Sequence, residues 1–239
     1  MNGLPLRKIR SYVKRPGRIT AAQRRALDEL WPRWGIAFAN GRVDLDAVFG
    51  RSAPHVLDVG FGDGEALLTS AANNPGVDYL GVEVHEPGIG HLLVLLERAG
   101  LTNVRVIERD VVDVIAQMLV PASFDAVNVF FPDPWPKKRH HKRRLIGPEF
   151  VATLAAILKP GGLLHVATDW AHYAEQMLAT LASSADFARV LAEDLAHDPL
   201  AFRSPTKFER RGQQLGHDVA DLYYHRMLRG AQPASTTAD

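Results

Sequence analysis

HVLDVGFGDG, residues 55–64, reads as an apolar strand running straight into a glycine-rich turn. Gly60, Gly62 and Gly64 let the backbone turn sharply there and come close to a ligand. Outward from this stretch the chain alternates. Strand-like runs recur at DYLGVEV (78–84), NVRVIE (103–108), FDAVNVFF (124–131) and LLHVAT (163–168). Helix-like segments separate them at 64–73, 88–99, 111–119 and 148–158, and a further helix runs from about Asp169 to Ala182. Strands apolar on both faces, alternating with helices, predict a buried parallel sheet. Two more extended segments follow, near 187–193 and 219–228. The last, VADLYYHRML, alternates in polarity and predicts an antiparallel edge strand. KPGG (159–162) predicts a tight turn from helix into strand. Near the start, Thr20 is placed to cap a helix through AAQRRALDELW, and Pro32 to end or kink it. The expected fold class is α/β: a doubly wound, mostly parallel seven-stranded sheet with an antiparallel last strand.

The 239 residues suit a single α/β domain at 19–230, with a flexible basic arm at 1–18 and a polar tail, QPASTTAD, within 231–239. With no cysteine there is no disulfide framework and no thiolate metal site, and no metal is expected. No secretory signal follows the basic start, and no run approaches the ~20 apolar residues of a membrane span. A cytoplasmic protein is expected, with a monomer as the starting assumption.

The net charge of +1 hides an uneven distribution. Residues 1–25 hold eight Lys/Arg and no acid, and KKRHHKRR (137–144) holds six more. The rest of the chain is left with 14 basic against 27 acidic side chains. Positive charge gathered in two segments of an acidic body is the footprint of a polyanionic partner, although a basic octamer alone is as well explained by a solvated loop.

Acidic residues stand at successive strand ends. Asp58 precedes the glycine turn, near where the amino-acid end of a cofactor would lie. Glu83 ends the second strand, where a carboxylate accepts ribose hydroxyls. Asp110 follows the third and could face an adenine. Each alone reads equally as a helix cap or a solvated strand end; three on one sheet edge point to a nucleoside-containing cofactor. The glycine spacing is not G-x-G-x-x-G, since position 65 is Glu, and no second nucleotide half is evident. Both points favour S-adenosylmethionine over a dinucleotide.

The fourth strand runs into FFPDPWPKKRHHKRR. Pro132, Pro134 and Pro136 forbid helix and central strand pairing, so a stiff loop stands at the ligand edge. Phe130, Phe131 and Trp135 supply faces on which a base could stack, and Asp133 is pinned between two prolines. The basic cluster follows at once, as if phosphate contacts were to position a nucleic acid whose base enters the pocket.

FPDPWPKKRHHKRR, followed by ATDW (167–170) and SPTKFERRGQQLGHDVADLYY (204–224), resembles the bacterial tRNA (guanine-N7-)-methyltransferases. RIT (18–20), VGFGDG (59–64) and GVEVHEPG (81–88) also match, so the resemblance runs from about Arg18 to Arg226. It implies a class I methyltransferase fold, S-adenosylmethionine as cofactor, and guanosine 46 in the variable loop of tRNA as substrate. By the family pattern, Asp58, Glu83, Asp110 and Asp133 would contact the cofactor beside Gly60, Gly62 and Gly64, with Asp133 the proposed catalytic residue. Lys137, Asp169, Thr206, Lys207, Phe208 and Glu209 would contact substrate, and Arg139, His140, His141, Lys142, Arg143 and Arg144 would bind RNA. The chain departs from the pattern at Asp58, where many members have Glu, and at Ala220, where a Trp is common. Asp169 reads alternatively as the N-cap of its helix, and Thr206 with Glu209 as a capping box. Three other functions fit parts of the sequence: a methyltransferase acting on a small molecule or protein, an RNA-binding module with a vestigial cofactor site, and a nicotinamide-dependent oxidoreductase.

Overall fold

The computed structural model describes residues 11–12, 17–204, 209 and 218–228. Seven strands form one sheet: β1 (His55–Val59), β2 (Asp78–Glu83), β3 (Val104–Glu108), β4 (Phe124–Phe130), β5 (Leu158–Thr168), β6 (Phe187–Val190) and β7 (Ala220–Arg226). Their order across the sheet is β3-β2-β1-β4-β5-β7-β6. Pairs from β3 to β5 are parallel, and β7 is antiparallel to both β5 and β6. The last strand is antiparallel as expected, but it is not at the edge: β7 inserts between β5 and β6, and the short β6 is outermost. Its alternation comes from a face that carries Asp221, Tyr223 and His225 rather than from exposure to solvent.

Among the described residues, α1 (Ala21–Glu29), α2 (Trp31–Trp34) and α3 (Leu45–Phe49) precede β1, and α4 (Glu65–Asn73), α5 (Glu86–Ala99), α6 (Val111–Met118), α7 (Pro148–Ile157) and α8 (Ala171–Ala182) follow the first five strands in turn. Thr20 caps α1 through a capping box: its side chain accepts from the Gln23 amide and Gln23 reaches back to the Thr20 amide. α1 closes before Pro32, which sits in the first turn of α2, where its missing N–H costs nothing. KPGG does not form a turn ahead of the strand. β5 already begins at Leu158, and the register jumps from Phe124↔Leu158 to Ala126↔Leu163, so KPGG is a bulge within the strand. Lys159 pairs there with Asp125, at 2.8 Å.

Two apolar layers sandwich the sheet. Leu57, Val82, Val127, Val129 and Val166 pack with α6, α7 and α8 on one face. Val56, Tyr79, Val106 and Ala126 pack with α1, α4 and α5 on the other. Because β1 is buried on both faces, the loop after it is held on a rigid base. No described helix is long and apolar enough to cross a membrane, and the described residues contain no His/Cys/Asp/Glu group suited to a metal.

Candidate active site

The parallel strands all deliver their carboxyl ends to one edge, where a cavity of about 760 Å³ opens. This is within the usual range for small-molecule sites. Gly60 and Gly62, Glu83, Asp110 and Asp133 line it, together with Phe130, Phe131 and Pro132. Asp58 lines a smaller adjoining space of about 40 Å³ that shares Gly60, Gly62, Phe130 and Phe131.

Each acid is held differently. Both oxygens of the buried Glu83 carboxylate accept backbone N–H groups: Oε2 from Gly62, and Oε1 from Val84 and His85. With about four lone-pair sites on a carboxylate, Oε2 keeps one for a ligand. Asp110 caps α6 by accepting from the Val112 amide and still lines the cavity, so capping and ligand contact coexist. Asp58 is buried, and burial first, then the charge of Glu83, lift it to about 7 against the bond from Asn128. Asn128 stands opposite Asp58 on β4, and its Oδ1 is buried without a partner among the described residues.

Gly60, Gly62 and Gly64 all adopt positive φ, at 71°, 64° and 81°. Only the first two face the cavity. Gly64 starts α4, and a Cβ there would lie 2.6 Å from Leu92 Cβ, so its smallness serves the packing of α4 on α5. Gly88, in the first turn of α5, is a glycine the sequence reading gave no role. A Cβ on it would come within 1.9 Å of the Gly62 carbonyl oxygen. The glycine turn therefore rests directly on α5.

The loop after β4 is strained as well as proline-rich. Phe131 and Trp135 have φ of 50° and 44°, a left-handed conformation that costs a side-chain-bearing residue about 1–3 kcal/mol. Phe130 and Phe131 border the cavity, but Trp135 does not and is no stacking platform there. Its indole N–H donates to the Ser11 carbonyl at 2.9 Å, Arg143 covers its face at 4.8 Å, and the His140 ring meets it edge-on at 5.7 Å. Trp135 thus joins Ser11 to the basic segment. Ser11 and Tyr12 line the cavity, as do Gln23, His85, His91 and Arg109. In the sequence the N-terminal residues carried no signal beyond charge, and the others lie in elements whose period reports only packing.

KKRHHKRR becomes a 3-10 helix over Lys138–Arg143. Lys137, Lys138, Arg139 and Lys142 are exposed, and His140, His141 and Arg143 half-buried. Residual desolvation and then neighbouring cations hold both histidines below the ordinary imidazole range: Arg139 and Arg143 at His140, Arg144 at His141. Arg144 departs from the RNA-binding expectation. It is 6% exposed, and Nε donates to the Pro134 carbonyl while Nη1 donates to His172 Nδ1 and Gln176 Oε1. The guanidinium is turned inward, apart from the exposed cations of the segment, with Nη2 buried and without a partner among the described residues.

Asp169 lies between β5 and α8 but does not cap α8. Trp170 is the cap residue, its amide donating to Thr168 Oγ1. Thr206, Lys207 and Phe208 lie outside the described residues. Glu209 is buried, and both of its oxygens accept from Arg203, which also pairs with Asp221 at 2.8 Å. Burial disfavours the Arg203 charge, but these two carboxylates outweigh it and raise its pKa. Arg203 lies over both Phe130 and Phe131 at 5.7 Å, so Arg203 and its partner Glu209 are tied to the cavity wall.

A family model, Methyltransf_4, described as “Putative methyltransferase”, matches residues 52–222. A curated protein of Burkholderia pseudomallei (strain K96243), named tRNA (guanine-N(7)-)-methyltransferase, is 54% identical over 229 residues, 96% of this chain and 86% of that protein. One of the same name from Halorhodospira halophila is 54% identical over 219 residues, 91% of this chain and 95% of that protein. Among solved structures, the 16S rRNA methyltransferase KamB aligns with a TM-score of 0.54 at 19% identity, covering 78% of this chain and 95% of that one. An rRNA methylase from Streptococcus thermophilus aligns with a TM-score of 0.51 at 14% identity, covering 74% and 88%. At those identities the structural matches bear on fold alone.

Proposed function

Because the chain belongs to the tRNA (guanine-N7-)-methyltransferase family, we propose that the cavity at the carboxyl edge of its sheet holds the cofactor and receives the target base. The activity is methyl transfer from S-adenosylmethionine to guanine N7 in tRNA. The resemblance further implies guanosine 46 as the target. The observation that carries the site assignment is convergence. The glycine turn, Glu83, Asp110 and Asp133 come from four strand ends and border one cavity, with Asp58 in the space beside it.

The residues present fit the cofactor. Glu83 retains acceptor capacity for a ribose hydroxyl, Asp110 lines the cavity beyond β3, and Asp58 with the unpartnered Asn128 Oδ1 suits an ammonium group. When bound, S-adenosylmethionine supplies an electrophilic methyl group on a sulfonium. Guanine N7 is a lone-pair acceptor without a proton, so no side chain has to act as a general base. The protein's task is to align base and methyl donor, and positioning alone can supply several kcal/mol. Asp133, exposed on a stiff loop at the cavity, is suited to accept from the N–H edge of the guanine. Phe130 and Phe131 wall the space beside it, and the exposed Lys137, Arg139 and Lys142, which follow closely in the chain, carry charge suited to the RNA backbone.

The test is incubation with labelled S-adenosylmethionine and unmodified tRNA, followed by nucleoside mapping. Label in 7-methylguanosine at position 46 is expected. Label at another nucleoside, or none, would overturn the reading.

A further inference from the structure

We propose that Arg144 is a positioning residue that locks the Asp133 loop to the start of α8, fixing Asp133 relative to Asp169. This rests on the reading above that Asp133 meets the target base.

Arg144 follows the 3-10 turn of the basic segment, yet its side chain folds inward. Nε bonds the Pro134 carbonyl at 2.8 Å, and Pro134 is the residue directly after Asp133. From the other side of the guanidinium, Nη1 reaches His172 Nδ1 at 3.1 Å and Gln176 Oε1 at 2.6 Å, both on α8. The group also covers the Tyr173 ring at 4.7 Å. A guanidinium has only donors, so His172 accepts through Nδ1 and carries its proton on Nε2. The same helix face grips the chain just beyond: Tyr173 Oη accepts from the Ile146 amide at 3.0 Å, and Gln176 donates to the Ile146 carbonyl at 3.3 Å. Asp169 stands at the entry to this helix, three residues before His172. One side chain thus joins the two segments that carry the carboxylates expected to face substrate.

The loop needs such a tie. Prolines at 132, 134 and 136 remove three backbone donors, so fewer of the chain's own N–H groups are there to hold it. Phe131 and Trp135 are both in left-handed conformations that persist only when the surroundings impose them. The Phe131 amide donates to the Ala167 carbonyl and the Trp135 indole to the Ser11 carbonyl; the bond to the Pro134 carbonyl is the one that links the loop to α8 through Arg144. Burial above all raises the Tyr173 hydroxyl under Arg144, and the charge of Asp133 adds a smaller push in the same direction. Lysine could not replace this arrangement, because a single ammonium cannot span Pro134, His172 and Gln176 in one fork.

The experiment is steady-state kinetics with tRNA on Arg144→Met, Arg144→Lys and Gln176→Leu, at several salt concentrations, alongside cofactor affinity. A displacement of the order of 1 Å costs about 100-fold in rate. For both Arg144 variants, kcat is expected to fall by about that factor. The KM for tRNA, its salt slope and the cofactor affinity should stay unchanged. Gln176→Leu keeps the arginine and loosens one anchor; it should show a smaller loss of kcat with the same unchanged KM, and it decides the matter if the Arg144 variants do not fold. Wild-type kcat in Arg144→Lys or in Gln176→Leu would overturn the proposal. So would a weaker tRNA KM with a shallower salt slope at constant kcat, since that marks a phosphate contact. Asp133→Ala is the control: normal turnover there overturns the role of Asp133 itself, whereas failure of the Arg144 set with an inactive Asp133→Ala overturns only the lock.

Discussion

Asp58 on β1 feels the charge of Glu83 at the end of β2, and burial with that charge places the Asp58 carboxyl at about 7. A cofactor ammonium beside Asp58 would favour its ionised form and release the proton. Binding of S-adenosylmethionine near pH 7 is therefore expected to liberate a fraction of a proton, and Asp58→Asn to liberate none. Calorimetry in two buffers of different ionisation enthalpy measures this directly. Equal apparent enthalpies for wild type in the two buffers would remove Asp58 from the ammonium site.

The same shift sets a stability profile. The folded protein holds a proton on Asp58 that the unfolded chain gives up near its ordinary value of 3.8. The contribution is complete below about pH 3.8 and is lost as pH rises to about 7, an amount on the order of 4 kcal/mol across the window. Asp58→Asn should therefore gain stability relative to wild type on going from pH 5 to pH 8. Denaturant unfolding at the two pH values tests it, and parallel pH dependence in the two proteins would argue that Asp58 is ionised throughout.

Gly88 supports the glycine turn from below, with the Gly62 carbonyl where a Cβ would stand. Gly88→Ala must push the turn or α5 aside. A cost of about 1–3 kcal/mol in stability is expected from overpacking, with cofactor affinity falling in step because Gly62 also donates to Glu83. Thermal unfolding with and without cofactor separates the two effects. A variant of normal stability and normal affinity would show that the contact relaxes at no cost.

Much of this was readable before folding, and the exceptions share a cause. Apolar runs located the five parallel strands, because burial leaves a strong apolar signal, whereas β6 and β7, only partly buried, show as extended segments near 187–193 and 219–228. The acids at strand ends were legible because the topology of a parallel sheet sends them to one edge. Arg144 was not, because charge counted along a chain cannot distinguish a cation facing solvent from one folded under a loop. Trp135 and Gly64 were misplaced for the same reason: each belongs to a motif by sequence but turns toward a packing partner, Ser11 or Leu92, that is distant along the chain. The position of β7 inside the edge strand was hidden because alternation reports a polar face without saying what covers it.

The exposed cations divide from the buried one in their salt response. Arg139 and Lys142 are exposed on the 3-10 turn. If each neutralises one phosphate, replacing both by Ala should flatten the slope of log K against log salt by about 1.4, at ~0.7 per contact for single-stranded RNA. The KM for tRNA should rise while kcat is preserved. An unchanged slope would exclude this turn from the RNA interface.

Asp133 is the residue on which orientation and proton transfer part company. Since N7 carries no proton, a general base has nothing to remove, and the carboxylate is left with the N–H edge of the guanine as its natural partner. A carboxylate offers two acceptor oxygens to that edge, whereas an asparagine side chain offers one and turns a donor NH2 toward it in place of the other. Asp133→Ala should therefore lower kcat by about 100- to 1,000-fold, the range seen when one preorganised polar group is lost from a site. Asp133→Asn should fall between that variant and wild type. Cofactor affinity should change little in either, because Glu83, Asp110 and the glycine turn remain in place. Single-turnover rates with saturating tRNA make the comparison free of product release. An asparagine variant as slow as the alanine one would transfer the role from orienting the base to stabilising positive charge.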